Sequence, residues 1–507
     1  MELTLTRTEE FDQKESGVSL AFENLLSELT YEKLAGDRSI QIHSIRYDSR
    51  EMKPGDAFVA ISGYKQDGHD FIQSAIAKGA SVIIAEKDGD FSPGLKVIVK
   101  DSRLALAQLA GEFYQHPSRL LKTIGVTGTN GKTTVSYWLK SILQSAGMST
   151  GLIGTVKYFI GDRSFSAART TPESLDLQAL LSRMVEEKIQ SVVMEVSSHA
   201  LTLKRVQGIQ FDIAVFTNLT HEHLDFHKRL DTYRDAKGIL FENLSPMSFA
   251  ILNQDDPVSS HYAKKTSAQK CFYSIKGNTA EFSVNRAEFK PSGTRAVFQT
   301  PQGEQEYHLQ PPGDFNLSNF AAVLAAAQKL GLNYEQIKTG AEGFAGAPGR
   351  MEKIDLGQKF NLWIDYAHTP DGMERVLATV KSFTSGRLIC LFGCGGDRDK
   401  EKRPQMGSIA ERYCDLAIVS SDNPRNEEPL KIAEEVLSGI NDKRKIKVIL
   451  DRKEALEEAL KLCQPKDTLI VTGKGHENYQ EVKGKKYSFH EREILESGLA
   501  KMGYSKK

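Results

Sequence analysis

Residues 123–143 read TIGVTGTNGKTTVSYWLKSIL. A β-rich apolar run reaches Gly125, a glycine-rich loop follows, and Lys132, Thr133 and Thr134 open an amphipathic helix. That order builds an anion site. Loop N–H groups and the helix N-terminus point at phosphates, Lys132 neutralises β/γ oxygens, and the Thr133 hydroxyl suits Mg2+. In the usual GxxxxGK pattern a glycine stands where Val126 stands here, so Gly125 and Gly128 are expected to supply the loop's flexibility.

Other residues could share this chemistry. Glu195 sits in the apolar run VVMEV at the expected end of a strand, and an acid in such a strand needs a partner, which a magnesium ion would supply. Residues 218–242 hold His221, His223, Asp225, His227 and Lys237. Histidines two apart face one way on an extended segment, which suits zinc or, beside a phosphate loop, magnesium. Four further segments put polar residues at strand ends: DYAHTPDGM with Asp365 and His368, FGCGGDRDKEKRP, SDNPRNEEP with Asp422, Asn423 and Arg425, and GKGHENYQ with Lys474, His476 and Glu477. Four polar loops along one sheet edge predict a ligand cleft.

These residues must be positioned by a multi-domain α/β chain. At 507 residues the chain is too long for one core. Residues 1–20 read as a polar extension, neither signal nor transit peptide. Residues 21–120 alternate short strands (AFVAIS, SVIIAE) with helices, a small α/β domain. Residues 121–348 form a larger one, with continuous apolar runs (KTIGVTG, SVVMEVSS, IAVFTNL, FAILNQDD) suited to buried parallel strands. Alternation over 271–310 predicts an antiparallel insert, and NFAAVLAAAQKLG a helix ending at Gly331. Glycine and proline in GFAGAPGR mark a boundary. Residues 349–507 carry five more strand runs separated by helices, a doubly wound, Rossmann-like sheet without a GxGxxG opening, so no NAD is inferred. Zero formal net charge without a basic stripe excludes nucleic acid as the expected partner, and no run is long enough to span a membrane. Five scattered cysteines without a CxxC pair fit a reducing cytoplasm.

With these segments assembled, the chain resembles the Mur ligases over about residues 25–495. TGTNGKTT, MEVSSHAL, NLTHEHLDFH, YRDAKG, GDFNLSN, GRMEKI, DYAHTPDGM, FGCGGDRDKEKRP, DNPRNEEP and GKGHE fall in that family's order. The resemblance implies ATP-dependent amide ligation in bacterial peptidoglycan synthesis, and so a place in cell-shape maintenance and division. The enzyme would be a cytoplasmic monomer acting on small molecules. It implies that Gly128, Thr129, Asn130, Gly131, Lys132, Thr133 and Thr134 cradle ATP, with Asn316 near the adenine. Tyr47, Ser49, Tyr64, Lys65 and Gln66 would contact the uridine end of a UDP-muramoyl-dipeptide. Arg169, Thr170, Thr171, Ser197, Leu203 and Arg205 would hold its dipeptide end. Thr133, Glu195, His223 and Lys237 would surround Mg2+, with Lys132, Lys237, His223 and Glu195 catalytic. Lys237 matches the lysine that the family modifies to a carbamate, which turns a repelled ammonium into an anion.

The implied reaction has two steps, an acyl phosphate formed from ATP and then attack by an amine, so no protein nucleophile is required. DNPR resembles the meso-diaminopimelate-adding members. Arg425 can fork onto the distal carboxylate of that amino acid, with Arg398, Asp422, Asn423, Pro424, Gly473 and Glu477 completing the pocket. Lysine would leave the arginine unpaired, a loss of about 1–3 kcal/mol. A folylpolyglutamate synthetase shares the loop style but is not expected to carry DNPRNEEP with GGDRDKEKRP. A nucleotide switch leaves the C-terminal cleft unexplained.

Overall fold

The computed structural model describes residues 19–505, apart from Tyr64, Lys65, His221, His223 and Pro291 and the side chains of Leu224 and Asp225. The expected extension up to residue 18 lies outside these residues.

Parallel strands covered by helices on both faces must be apolar on both faces. Ser191–Glu195, Leu388–Phe392 and Thr468–Thr472 are accordingly buried along their whole length. Three large sheets form. The first runs Lys33–Gly36, Leu95–Ile98, Val82–Ala85, Ala57–Val59, Ile45–Arg46, parallel except at its first pair. The second has eleven strands. Its parallel centre runs Thr150–Ile153, Ser191–Glu195, Lys122–Thr127, Ile213–Phe216, Phe249–Asn253, Gln269–Ser274. The third runs Glu352–Lys353, Asn361–Asp365, Thr468–Thr472, Leu388–Phe392, Leu416–Val419, Ile446–Val448, again parallel beyond its first pair. Among the described residues, no helix is long and apolar enough to cross a membrane.

The antiparallel insert begins later than the sequence suggests. Gln269–Ser274 pairs in parallel with Phe249–Asn253, and only Phe282–Lys290, Gly293–Thr300 and Gly303–Leu309 form the antiparallel meander. Cys271 and Tyr273 face one core and Phe272 packs against the other, an alternation that a parallel strand shares with an antiparallel one. The expected helix before Gly331 spans Asp314–Lys329.

The helix after the phosphate loop, Lys132–Ser145, is seated by Trp138 in the core that lies against the second sheet. The Trp138 ring is fully buried, stacks on Phe344 at 4.9 Å and meets Phe320 at 5.0 Å. Its indole N–H finds no hydrogen-bond partner. Trp138→Ala should therefore cost about 3–5 kcal/mol of stability, the scale for emptying a large aromatic site. Trp138→Phe, which also removes the unpaired N–H, should cost much less. Urea midpoints of the three proteins check this; equal midpoints for wild type and Trp138→Ala would contradict it.

Candidate active site

The loop after Lys122–Thr127 turns sharply at Gly128, whose φ is +146° and where a Cβ would lie 1.9 Å from Thr217 Oγ1. Gly125 has a different role from the one expected. It lies inside the strand, where its missing Cβ makes room for the Phe211 ring, and the left-handed turns fall at Gly128 and Gly131. The position of Val126 explains this: as a strand residue its side chain enters the core, so it needs no glycine. Gly131 caps the helix without a side-chain hydrogen bond, which leaves first-turn N–H groups available to an anion.

Asn130 and Thr129 are braced by the loop after Ile213–Phe216. Asn218 Oδ1 accepts from the Asn130 amide at 3.0 Å, and Thr217 Oγ1 donates to the Asn130 carbonyl at 2.6 Å. Thr129 Oγ1 accepts from the Thr220 amide at 2.9 Å and meets Tyr233 Oη at 3.2 Å. Two lysines converge on the turn. Lys132 Nζ donates to the carbonyls of Gly128 (2.9 Å) and Thr129 (2.8 Å), and Lys237 Nζ donates to the Gly128 carbonyl at 2.9 Å. Lys237 also sits 4.5 Å from the Tyr233 ring centroid. Burial lowers the pKa of Lys132, and burial together with the neighbouring Lys132 charge drives that of Lys237 well below the ordinary lysine value. Glu222, which the sequence reading passed over, opposes both shifts.

Glu195 is fully buried at the end of its strand. Its carboxylate accepts from Thr133 Oγ1 (3.1 Å), Thr155 Oγ1 (2.9 Å) and the Thr155 amide (3.0 Å). Thr133 and Glu195 thus present oxygen donors side by side. His221 and His223 lie outside the described residues, as does the Asp225 side chain. His227 is buried, with its Nε2 2.9 Å from Ser198 Oγ and its ring 5.1 Å from that of Tyr233. Thr134 is buried behind the loop. Asn316 is buried at the start of Asp314–Lys329, donating to the Pro312 carbonyl at 2.8 Å, and Asn319, one turn on, faces Gly131.

A second group of expected residues continues from Glu195. Thr170 Oγ1 meets Thr155 Oγ1 at 3.1 Å. Thr171 Oγ1 donates to the Glu195 carbonyl at 2.8 Å and accepts from the Ser197 amide at 3.2 Å. Ser197 caps Ser198–Thr202, and Leu203 ends that helix. Glu173 gathers three arginines that sequence spacing could not bring together: Arg169, Arg205 at 3.0 Å and Arg103 at 3.6 Å. The only hint was its place after Thr170 and Thr171, before a helix. Tyr47 Oη donates to Asp176 at 2.7 Å, Ser49 is buried with its carbonyl accepting from Lys78, and Gln66 is exposed. Tyr64 and Lys65 lie outside the described residues.

The four C-terminal loops do share one sheet edge, following Asn361–Asp365, Leu388–Phe392, Leu416–Val419 and Thr468–Thr472. The glycine loop and the DNPR loop touch: a Cβ on Gly396 would lie 2.0 Å from the Pro424 carbonyl oxygen. Lys474, fully buried, donates to Asn423 (3.0 Å), Asp422 (3.3 Å) and Glu477 (3.3 Å), and Asn423 donates to Glu477 at 2.8 Å. Gly473 passes beside Asp422 with φ +111°. Arg425 is engaged rather than open. Its Nη1 donates to the Gly396 carbonyl at 2.7 Å and its Nε to Glu481 at 3.1 Å, because the hairpin Tyr479–Ser488 runs past it. Arg398 is exposed beside Gly395.

Between the two sites stand Asp365, which accepts from the Met351 and Ala367 amides, and a stack of Arg350, Tyr366 and His476. Burial and the Arg350 charge push His476 down to about 3, so its ring is neutral. Asn130 Nδ2 reaches Asp371 at 3.4 Å, and His368 Nε2 lies 3.9 Å from Glu222.

The arrangement has counterparts. Residues 41–114 match the model of the Mur ligase family catalytic domain, 126–327 the Mur ligase middle domain, and 349–475 the Mur ligase glutamate ligase domain. A Clostridium tetani protein named UDP-N-acetylmuramoyl-L-alanyl-D-glutamate--2,6-diaminopimelate ligase is 42% identical over 482 residues, 94% of this chain and 98% of that one. A Bacillus cereus protein of the same name is 42% identical over 465 residues, 90% and 94% of the two chains. A solved structure of a ligase with this name is 29% identical, with a TM-score of 0.70 over 96% of this chain and 100% of that one. The three family models and these relatives together cover almost the whole length, and the chain belongs to the Mur ligase family.

Proposed function

We propose that this chain is an ATP-dependent ligase that adds meso-diaminopimelate to UDP-N-acetylmuramoyl-L-alanyl-D-glutamate, in the bacterial cytoplasm, as a step of peptidoglycan synthesis. The observation that carries the reading is a phosphate loop joined to an arginine-lined C-terminal cleft, in a chain 42% identical over nearly its whole length to a ligase so named. Three units, 21–120, 121–348 and 349–507, divide the work. Every residue invoked lies on one chain, so a monomer suffices.

ATP lies along Gly128–Thr134, with Asn316 at the far side of the loop. Tyr47, Ser49, Tyr64, Lys65 and Gln66 take the uridine end of the second substrate. Arg169, Thr170, Thr171, Ser197, Leu203 and Arg205 hold the dipeptide. Thr133 and Glu195 offer the hard oxygen donors that suit Mg2+, with His223 and Lys237 completing its surroundings. The ion supplies neutralisation of phosphate charge when bound. Lys132 turns its ammonium from the loop carbonyls to the γ-phosphate. The D-glutamate carboxylate then attacks that phosphorus, ADP leaves, and an acyl phosphate forms. The amine of diaminopimelate attacks the acyl carbon, loses a proton, and phosphate departs. Positioning does most of the work, since no side chain bonds to substrate.

Burial and the Lys132 charge lower the Lys237 pKa well below the ordinary lysine value, which favours the neutral amine that adds CO2. An N–C bond forms, one proton leaves, and the carbamate anion replaces a cation that would repel Lys132.

Lys132→Ala should abolish ADP formation while the protein stays folded; near-normal turnover at saturating ATP would sink the nucleotide-site reading. Lys237→Ala should lose most activity and regain part of it with added short carboxylic acids. Mass spectrometry at alkaline pH should show the carbamate in wild type, and full activity in the alanine variant would refute the role. The whole reading is tested by a panel of amines with ATP and the UDP-dipeptide. Diaminopimelate should exceed L-lysine by at least about a hundredfold in kcat/KM, the discrimination of a site built for a polar group. Arg425→Ala should raise KM for diaminopimelate far more than for ATP. Equal use of lysine by the wild type would overturn the assigned amine.

A further inference from the structure

One buried side chain ties together the two loops that bear Arg398 and Arg425. Arg403, near the start of the helix Lys402–Tyr413, has no solvent exposure. Its guanidinium forks onto Glu427, Nη1 to Oε2 and Nη2 to Oε1, each at 2.9 Å. Nη1 also donates to Glu435 at 2.7 Å, and Nη2 to the Gly395 carbonyl at 3.1 Å. Glu427 in turn accepts from the Asp397 amide at 2.6 Å and pairs with Lys400 at 3.2 Å. Glu427 stands two residues after Arg425, and Asp397 one before Arg398. The pair therefore spans from one arginine-bearing loop to the other.

Both loops need such a tie. Asp397 and Arg425 adopt φ of +51° and +50°, conformations that non-glycine residues keep only when their surroundings impose them. The Asn426 side chain donates to Asp397 at 2.7 Å, a second stitch across the same gap. A buried ion pair is a weak source of net stability, but an arginine fork fixes distance and angle in a way that a single ammonium cannot.

We infer that the Arg403–Glu427 pair is the positioning element of the amine-substrate cleft: it sets the separation of Arg398 and Arg425, and so the discrimination between amines with and without a distal carboxylate. The inference rests on the proposed ligase reading. A misplacement of about 1 Å in such a site costs up to about a hundredfold.

The test uses full-length Arg403→Lys, Glu427→Gln and Glu427→Asp, assayed with diaminopimelate and L-lysine, with melting curves alongside. In Arg403→Lys and Glu427→Gln the KM for diaminopimelate should rise about 10–100-fold. KM values for ATP and the UDP-dipeptide should stay within about twofold, the preference over lysine should shrink, and Glu427→Asp should recover part of the loss. Glu427 is partly exposed, so its variants carry the test if Arg403→Lys does not fold. Folded variants with an unchanged KM for diaminopimelate, or with all three KM values raised together, would overturn the inference and leave the ligase reading intact. A wild type that ignores diaminopimelate would take both down.

Discussion

A buried carboxylate is costly unless every lone pair is answered, and Glu195 is the place where this chain meets that cost. Thr133 answers from the phosphate helix, and Thr155 answers with both its hydroxyl and its amide. The Glu195 backbone carbonyl takes the Thr171 hydroxyl. One residue thereby links the nucleotide loop to the threonines expected at the dipeptide. Neither group can shift without disturbing the other. In the proposed reaction, an in-line transfer between two bound substrates would draw on such a link, with the protein contributing geometry and charge instead of a nucleophile.

The lysines around Gly128 follow from the same economy of charge. Burial is the main reason that both pKa values fall, and the Lys132 charge lowers that of Lys237 further. The Gly128 carbonyl is a poor substitute for a phosphate. The loop is thus electrostatically unfinished in a way that an anionic ligand, or an anionic modification of Lys237, would complete.

Much of this was legible in the sequence, and the reasons differ by element. Parallel strands buried on both faces print as continuous apolar runs, so Ser191–Glu195, Leu388–Phe392 and Thr468–Thr472 could be found directly. The phosphate loop is local and carries its own spacing. Polar residues at successive strand ends followed from the rule that sites gather at one edge of such a sheet. Contacts set by distant register were invisible. Nothing in the spacing of Arg103, Arg169 and Arg205 says that they share Glu173, and the charged run DRDKEKRP hides that Arg403 is wholly buried while Arg398 is exposed. Gly125 misled because a glycine beside a loop reads as flexibility, whereas here it is a void for Phe211.

The placement of Trp138 bears on how the chain is made. Lys122–Thr127 is emitted early in synthesis, yet its sheet neighbours are Ser191–Glu195 and Ile213–Phe216. The aromatic rings that seat the following helix are Phe320 and Phe344. The phosphate loop therefore cannot be finished until some two hundred further residues have left the ribosome, a delay of about 10–40 seconds at ordinary elongation rates. Over that interval the apolar face of an amphipathic helix and an unpaired parallel strand lie open to solvent, so the hazard of aggregation falls on the nascent middle region rather than on the folded protein.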